Sequence, residues 1–155
     1  MAEIRTTEQG QSVHKILAHS YISIFMFFLV GVCLDLFLNL KIFSSQIVVG
    51  WGILFLALGT VLIIWAQKTS RSLKKEVITK ETFCRGPYCF TRSPTHWGLF
   101  LVMLGFGMVV NALFVIIMSI ISFVFTKLTF LREEEKTLAE KYGAPYVEYK
   151  KSVRI

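Results

Sequence analysis

The sequence has few charged residues and no polar stripes in its apolar runs. Charged residues make up 17% of the 155 positions and hydrophobic residues 54%, which is above the usual apolar share of soluble domains. The run at residues 47–65 is interrupted only by Thr60 and glycines. A helix of a soluble bundle would carry polar residues at every third or fourth position. This absence argues against a soluble bundle and leaves room for one membrane unit.

Cysteine and histidine are also sparse, and they lack the close pairs that metal sites use. The three cysteines are Cys33, Cys84 and Cys89, and no Cys-x-x-Cys or His-x-x-x-His pair accompanies His96. Zinc sites usually contain such pairs. We therefore expect no metal site.

Four apolar runs are long enough to span or nearly span a bilayer, which takes about 20 helical residues. The sequence therefore predicts an all-α integral membrane protein with about four transmembrane helices and a C-terminal amphipathic helix. We divide this single domain, residues 1–155, into a polar leader (1–12), a first helical hairpin (13–66), a polar segment (67–97), a second hairpin turning at Asn111 (97–130) and a tail (131–155).

The net charge of +7 is unevenly distributed along the chain. Residues 67–97 hold seven Lys or Arg and the chain from Lys127 onward holds seven more, whereas the connection near Lys41 holds one. By the positive-inside rule, both termini, residues 67–97 and the tail face the cytoplasm, where Cys84 and Cys89 stay reduced. The pattern predicts a multi-pass protein in a lipid bilayer and no nucleic-acid partner. No small-residue cleavage site follows the first run, so no cleavable signal peptide is expected.

Acidic residues occur at two places that need interpretation. Asp35 is a carboxylate inside the first apolar run, where an ionisable group costs about 2.5 to 3.5 kcal/mol at the helix centre and is a functional candidate. Its position near the far end of the run favours a structural role. The tail is predicted to begin a separate helix at residue 131, with Glu133, Glu134 and Glu135 in its first turn, where the helix dipole favours carboxylates. An acidic first turn needs no ligand.

Two segments resemble the signatures of one enzyme superfamily. Residues 86–98 read Gly-Pro-Tyr-Cys-Phe-Thr-Arg-Ser-Pro-Thr-His-Trp-Gly, and their two prolines rule out one continuous helix. This order resembles the Gly-x-Tyr-x-x-x-Arg-His-Pro-x-Tyr-x-Gly signature of the isoprenylcysteine carboxyl methyltransferase and phospholipid methyltransferase superfamily. Residues 134–149 resemble its second pattern, Glu-Glu-x-x-Leu-x-x-x-aromatic-Gly-x-x-Tyr-x-x-Tyr. Ser93 stands where the superfamily usually has His, and His96 where it usually has Tyr.

The resemblance implies an integral membrane methyltransferase that uses S-adenosylmethionine as its cofactor. Its acceptor is a membrane lipid or a lipidated or small hydrophobic molecule, either a carboxylate of the isoprenylcysteine type or a phospholipid amine. The active site is expected on the cytoplasmic side, within residues 67–97 and the tail. Matching positions give Arg92 and His96 as catalytic residues and the following as cofactor-binding residues: Gly86, Pro87, Tyr88, Arg92, Ser93, Pro94, His96, Gly98, Glu134 and Glu135.

The chemistry of these side chains fits such a cofactor. Glutamates accept hydrogen bonds from ammonium or hydroxyl groups, and a guanidinium binds a carboxylate. The adenine ring needs an apolar slot, for which Tyr88, Phe90 and Trp97 are candidates. His96 remains open between two roles: it is a base if the acceptor is an amine, or a packing aromatic if the acceptor is already ionised. A nicotinamide-dependent reductase of sterol-reductase-like architecture and a non-catalytic scaffold remain as alternatives.

Overall fold

The computed structural model describes the backbone of residues 2–38, 40–41, 45–73 and 86–153, with side chains at most of these positions from residue 16 onward. Cys84 and much of the predicted basic segment lie outside the described residues. The described chain contains α-helices and one short 3₁₀ turn: α1 (Ala2–Leu38), α2 (Gln46–Leu73), the 3₁₀ turn (Gly86–Cys89), α3 (Pro94–Val110), α4 (Leu113–Tyr142) and α5 (Ala144–Ser152).

The helices confirm the predicted all-α membrane architecture. Helices α1, α2 and α4 each contain a stretch long and apolar enough to cross a membrane, and α3 is a shorter apolar helix. Large apolar side chains cover the outside of the bundle; Phe37 is 88% exposed and Leu36 77%. Such a surface is stable against lipid tails and not against water.

Helix α2 packs mainly on α3, and α1 packs mainly on α4, while α3 and α4 also contact each other. The two helices of the predicted first hairpin therefore have different main partners. A Cβ atom on Gly105 would lie 2.6 Å from the Gly52 carbonyl oxygen, and one on Gly98 would lie 3.0 Å from the Gly59 carbonyl oxygen. Only glycine allows these backbones to come so close, which is the usual way that membrane helices gain packing contacts.

The second pair of helices meets along a face of small side chains on α4. Val115, Ser119, Ser122 and Thr126 follow one another at spacings of three or four and are all buried. On α1, a Cβ atom at Gly31 would lie 3.0 Å from Val115 Cα. Small groups on both sides thus bring α1 close to α4.

The turn predicted at Asn111 is confirmed. Asn111 has the left-handed conformation with φ 57° and ends α3, and the Ala112 N–H donates a hydrogen bond of 2.8 Å to the Gly107 carbonyl. A left-handed residue after the last helical turn is a common helix end, and asparagine accepts it more readily than most residues.

Asp35 has the structural role that its position favoured. Its two carboxylate oxygens accept hydrogen bonds from the Phe114 N–H at 3.1 Å and the Val115 N–H at 2.9 Å. These donors belong to the first turn of α4, where no residue of the same helix can accept them. The carboxylate of α1 therefore caps α4.

The prediction of a separate tail helix is wrong. Helix α4 runs without a break from Leu113 to Tyr142, and Gly143 ends it with φ 63°. Glu133, Glu134 and Glu135 therefore lie near the end of a long helix, and the dipole of a first turn does not explain them. Thirty residues extend roughly 45 Å, more than the hydrocarbon core of about 30 Å, so the charged end projects past the apolar part.

The cap on α4 gives a first prediction. Asp35→Ala should lower the thermal midpoint of the protein in detergent, because loss of an aspartate cap costs about 1 kcal/mol. Asp35→Asn keeps one acceptor oxygen and should cost less. The control is Cys33→Ala, which changes an exposed residue on the same helix. Equal midpoints for Asp35→Ala and the control would contradict the capping role.

Candidate active site

The first signature segment begins with a turn seated on the end of α2. Gly86 has φ +57°, and a Cβ atom there would lie 2.8 Å from Thr69 Oγ1 and 3.1 Å from Trp65 Nε1. Glycine is therefore needed both for its backbone conformation and for this contact. Pro87 follows and is buried. Gly86 and Pro87 thus anchor the segment to α2.

The segment continues into α3, whose first residue is Pro94. Proline suits this position because its fixed φ fits a helix and its missing N–H needs no partner there. Ser93 precedes it at the N-cap, and its side chain makes no capping hydrogen bond. Pro94 and Gly98 are buried in packing contacts. Their predicted contact with the cofactor stays a prediction.

Arg92 links the two signature segments. Its Nη1 lies 2.6 Å from Glu135 Oε1 in a largely buried ion pair, and its Nε donates a hydrogen bond of 2.5 Å to the Val153 carbonyl. One guanidinium thus holds the loop before α3, the end of α4 and the end of the chain that the structure describes. Charge-assisted hydrogen bonds of this kind are the strong ones in proteins.

Glu135 also binds Lys150 of α5, whose Nζ lies 2.8 Å from Oε2. Both carboxylate oxygens of Glu135 are therefore neutralised by protein cations. Around them, Tyr146 and Val153 are buried and pack with Leu138 and Ala139. These contacts fix α5 against α4.

Glu134 has different surroundings, although it directly precedes Glu135 in the chain. Its carboxylate acts electrostatically on the phenols of Tyr21 and Tyr88, and the Glu135 carboxylate acts on it in turn. The described part of the chain gives it no Lys or Arg partner, because the two nearby cations are on Glu135. A shielded carboxylate without a counterion favours the binding of a cation or of hydroxyl donors.

Hydroxyl groups of different helices gather beside Glu134. Tyr88 is hydrogen-bonded to Ser70 of α2 and to Thr95 of α3, and Thr95 is also bonded to Tyr21 of α1. Burial raises the pKa of the Tyr88 phenol above its usual value, and the charge of Glu134 raises it further, while the two hydrogen bonds oppose the shift. The phenol therefore stays protonated at neutral pH and can donate a hydrogen bond.

His96 lies in the first turn of α3 and faces α1. Its Nε2 is 2.8 Å from Ser20 Oγ in a buried hydrogen bond, and its ring centre is 5.7 Å from that of Tyr21. Only 6% of the residue is exposed. The structure thus places His96 beside the hydroxyl cluster, in contact with residues of α1.

An apolar cavity of about 300 Å³ lies between α2, the 3₁₀ turn with the loop after it, and the first two turns of α3. Phe90, which is 76% exposed, and Trp65, which is 47% exposed, stand at its surface. The cavity thus opens at the outer surface of the bundle. The remaining lining residues are Leu62, Pro87, Thr91, Trp97 and Leu101.

The structure brings together most of the residues predicted for the site, and adds four. Ser20, Tyr21, Ser70 and Thr95 belong to the cluster but were not predicted. Single hydroxyl residues at the ends of apolar runs have no spacing that distinguishes them from ordinary interface residues. Only the helix packing identifies them.

Comparison with known protein families gives a match. The sequence profile of the phospholipid methyltransferase family matches residues 45–145, from the start of α2 to the beginning of α5. No curated protein and no solved structure matches the chain significantly. Helix α1 lies outside the matched residues.

The contrast between the two glutamates gives a second prediction. Glu135→Gln should release α5 from α4 and increase the rate of trypsin cleavage near Lys150 roughly tenfold, since hydrogen bonds to charged groups contribute about 1.5 kcal/mol or more. Glu140→Gln, an exposed change on the same helix, is the control. Equal cleavage rates in both variants would show that Glu135 does not hold the tail.

Proposed function

Because the chain belongs to the phospholipid methyltransferase family, we propose that this membrane methyltransferase moves a methyl group from S-adenosylmethionine to a lipidic or membrane-partitioning acceptor. The observation that carries the proposal is the meeting of both signature segments at one end of the bundle. Arg92, Glu134 and Glu135 gather there next to an apolar cavity at the outer surface of the bundle. Family membership favours methyl transfer over the reductase and scaffold alternatives.

The residues present fit the proposed cofactor. S-adenosylmethionine supplies an electrophilic methyl group on a positively charged sulfur, and it carries an ammonium group, a carboxylate, a ribose and an adenine ring. Glu134, which lacks a protein cation in the described chain, suits the ammonium group or the ribose hydroxyls. Arg92 has five N–H donors, and the two bonds to Glu135 and Val153 leave donors for a carboxylate.

The apolar cavity suits the hydrophobic part of an acceptor. Its walls are formed by Trp65, Phe90 and Trp97 among others, so an alkyl chain entering from the bilayer meets no polar group that must lose its water. Methyl transfer needs alignment of donor and acceptor and exclusion of water, and it needs no protein nucleophile. The packed helices around residues 86–98 are suited to both.

The acceptor group is either a phospholipid amine or a carboxylate of the isoprenylcysteine type. An amine must lose a proton, for which His96 is the candidate base, while an ionised carboxylate needs none. The deciding assay supplies methyl-labelled donor with phosphatidylethanolamine vesicles or with a farnesylated cysteine. Label in one lipid product identifies the class. Label in neither, from protein that binds the donor, would contradict the proposal.

The proposed roles of the two glutamates predict different effects on ligand binding. Glu134→Gln should weaken S-adenosylhomocysteine binding about five- to thirtyfold in calorimetric titration, the loss expected for a charge-assisted hydrogen bond. NADPH should not bind to the wild-type protein. Glu140→Gln serves again as the control. Unchanged affinity in Glu134→Gln would remove this residue from the cofactor site.

The proposed orientation places both termini and the active site in the cytoplasm, because basic residues are concentrated there. In a variant carrying Cys33→Ala, a membrane-impermeant thiol reagent added to intact cells should leave Cys84 and Cys89 unmodified, and permeabilised cells are the positive control. Labelling of either cysteine from outside would reverse the orientation and contradict a cytoplasmic donor site.

A further inference from the structure

Ser20 is a buried polar residue in an apolar helix, and the family match does not include it. It is 1% exposed, and a hydroxyl group buried in this way needs a partner. In membrane helices a serine usually bonds to a carbonyl of its own helix, as Ser119 does with the Ile116 carbonyl. Ser20 instead bonds across the bundle to His96, 76 positions later in the chain.

The neighbouring residue reinforces this contact. Tyr21 places its ring against His96 and its hydroxyl against Thr95. Two consecutive residues of α1 thus hold two consecutive residues in the first turn of α3. Because Thr95 is also bonded to Tyr88, the contact fixes the start of α3 relative to the 3₁₀ turn.

From this arrangement we propose that Ser20 is a positioning residue that holds the His96 imidazole in one orientation at the active site. The inference rests on the proposed function, since His96 is a candidate residue of that site. It makes α1, which lies outside the matched residues 45–145, a part of the catalytic unit.

The hydrogen bond between Ser20 and His96 affects which ring nitrogen can exchange a proton with a substrate. A neutral imidazole has one N–H and one acceptor nitrogen, and a serine hydroxyl can bond to either of them because it both donates and accepts. Since Nε2 is bonded to Ser20, a proton exchanged with a substrate passes through Nδ1. If Ser20 is removed, the ring can rotate, and the reactive geometry is lost while the cofactor residues stay in place.

The test uses the full chain with ¹⁵N-labelled histidine in lipid bilayers. The chain has three histidines, so the His96 signals are assigned by their loss in His96→Gln. Ser20→Ala should shift the His96 Nε2 signal away from that of a hydrogen-bonded nitrogen, and Ser20→Thr should restore it. The matched control is Ser119→Ala, which removes an equally buried hydroxyl that bonds within its own helix.

Kinetics separate positioning from a structural role. Ser20→Ala should lower kcat about fivefold, as expected for one lost hydrogen bond to a reacting group, with little change in KM for the donor or in S-adenosylhomocysteine affinity. Ser20→Thr should recover most of kcat. If Ser20→Ala does not fold, Ser20→Cys, a weaker donor of similar size, takes its place.

Two results would overturn the inference. One is a His96 spectrum in Ser20→Ala that matches the wild type. The other is a kcat equal to that of Ser119→Ala despite a changed spectrum, which would show that the hydrogen bond does not serve the reaction. An absence of methyl transfer in the wild type would overturn the proposed function instead, and the spectra would still decide the contact between Ser20 and His96.

Discussion

The close approach of α2 and α3 is the constraint on which the candidate site depends. Apolar helices in a bilayer gain nothing from hiding their side chains from lipid, so their association relies on close backbone contact. Gly52 and Gly59 meet Gly105 and Gly98 in this way. Gly86 adds a third contact at the end of α2. These contacts hold residues 86–98 in place, and α4 carries Glu134 and Glu135 to the same end.

The adjacent residues Glu134 and Glu135 differ in their contacts and therefore in the roles that they suit. Glu135 forms ion pairs with both Arg92 and Lys150 and thereby connects Arg92 with the tail, so its contacts are structural. Glu134 faces phenols and has no cation among the described residues. A carboxylate in that state is stabilised by a positively charged ligand. The geometry thus favours Glu134 for ligand contact and Glu135 for support of Arg92.

The sequence predicted the parts of the fold that follow from local rules. Runs of apolar residues predicted the helices, and Asn111 predicted the turn. The junction at residue 131 was predicted wrongly, because the change from apolar to charged residues was read as a helix boundary. Charged residues are good helix formers, and a helix that leaves the membrane can continue through such a change.

The contacts between residues far apart in the chain could not be predicted from the sequence, for a physical reason. The cap of Asp35 on α4 and the bond between Ser20 and His96 each join residues more than 70 positions apart. No local periodicity records which helix lies next to which. The superfamily resemblance located the signature segments, but only the contacts of Ser20 and Tyr21 with His96 show that α1 lies beside the first of them.

The central claim is that the two signature segments form one cofactor site. Hydrogen exchange of the full chain in detergent, with and without saturating S-adenosylhomocysteine, tests it most directly. We predict slower exchange in peptides covering both residues 86–98 and residues 131–142, with little change in the apolar part of α4. Protection of only one segment, or of neither, would contradict a shared site.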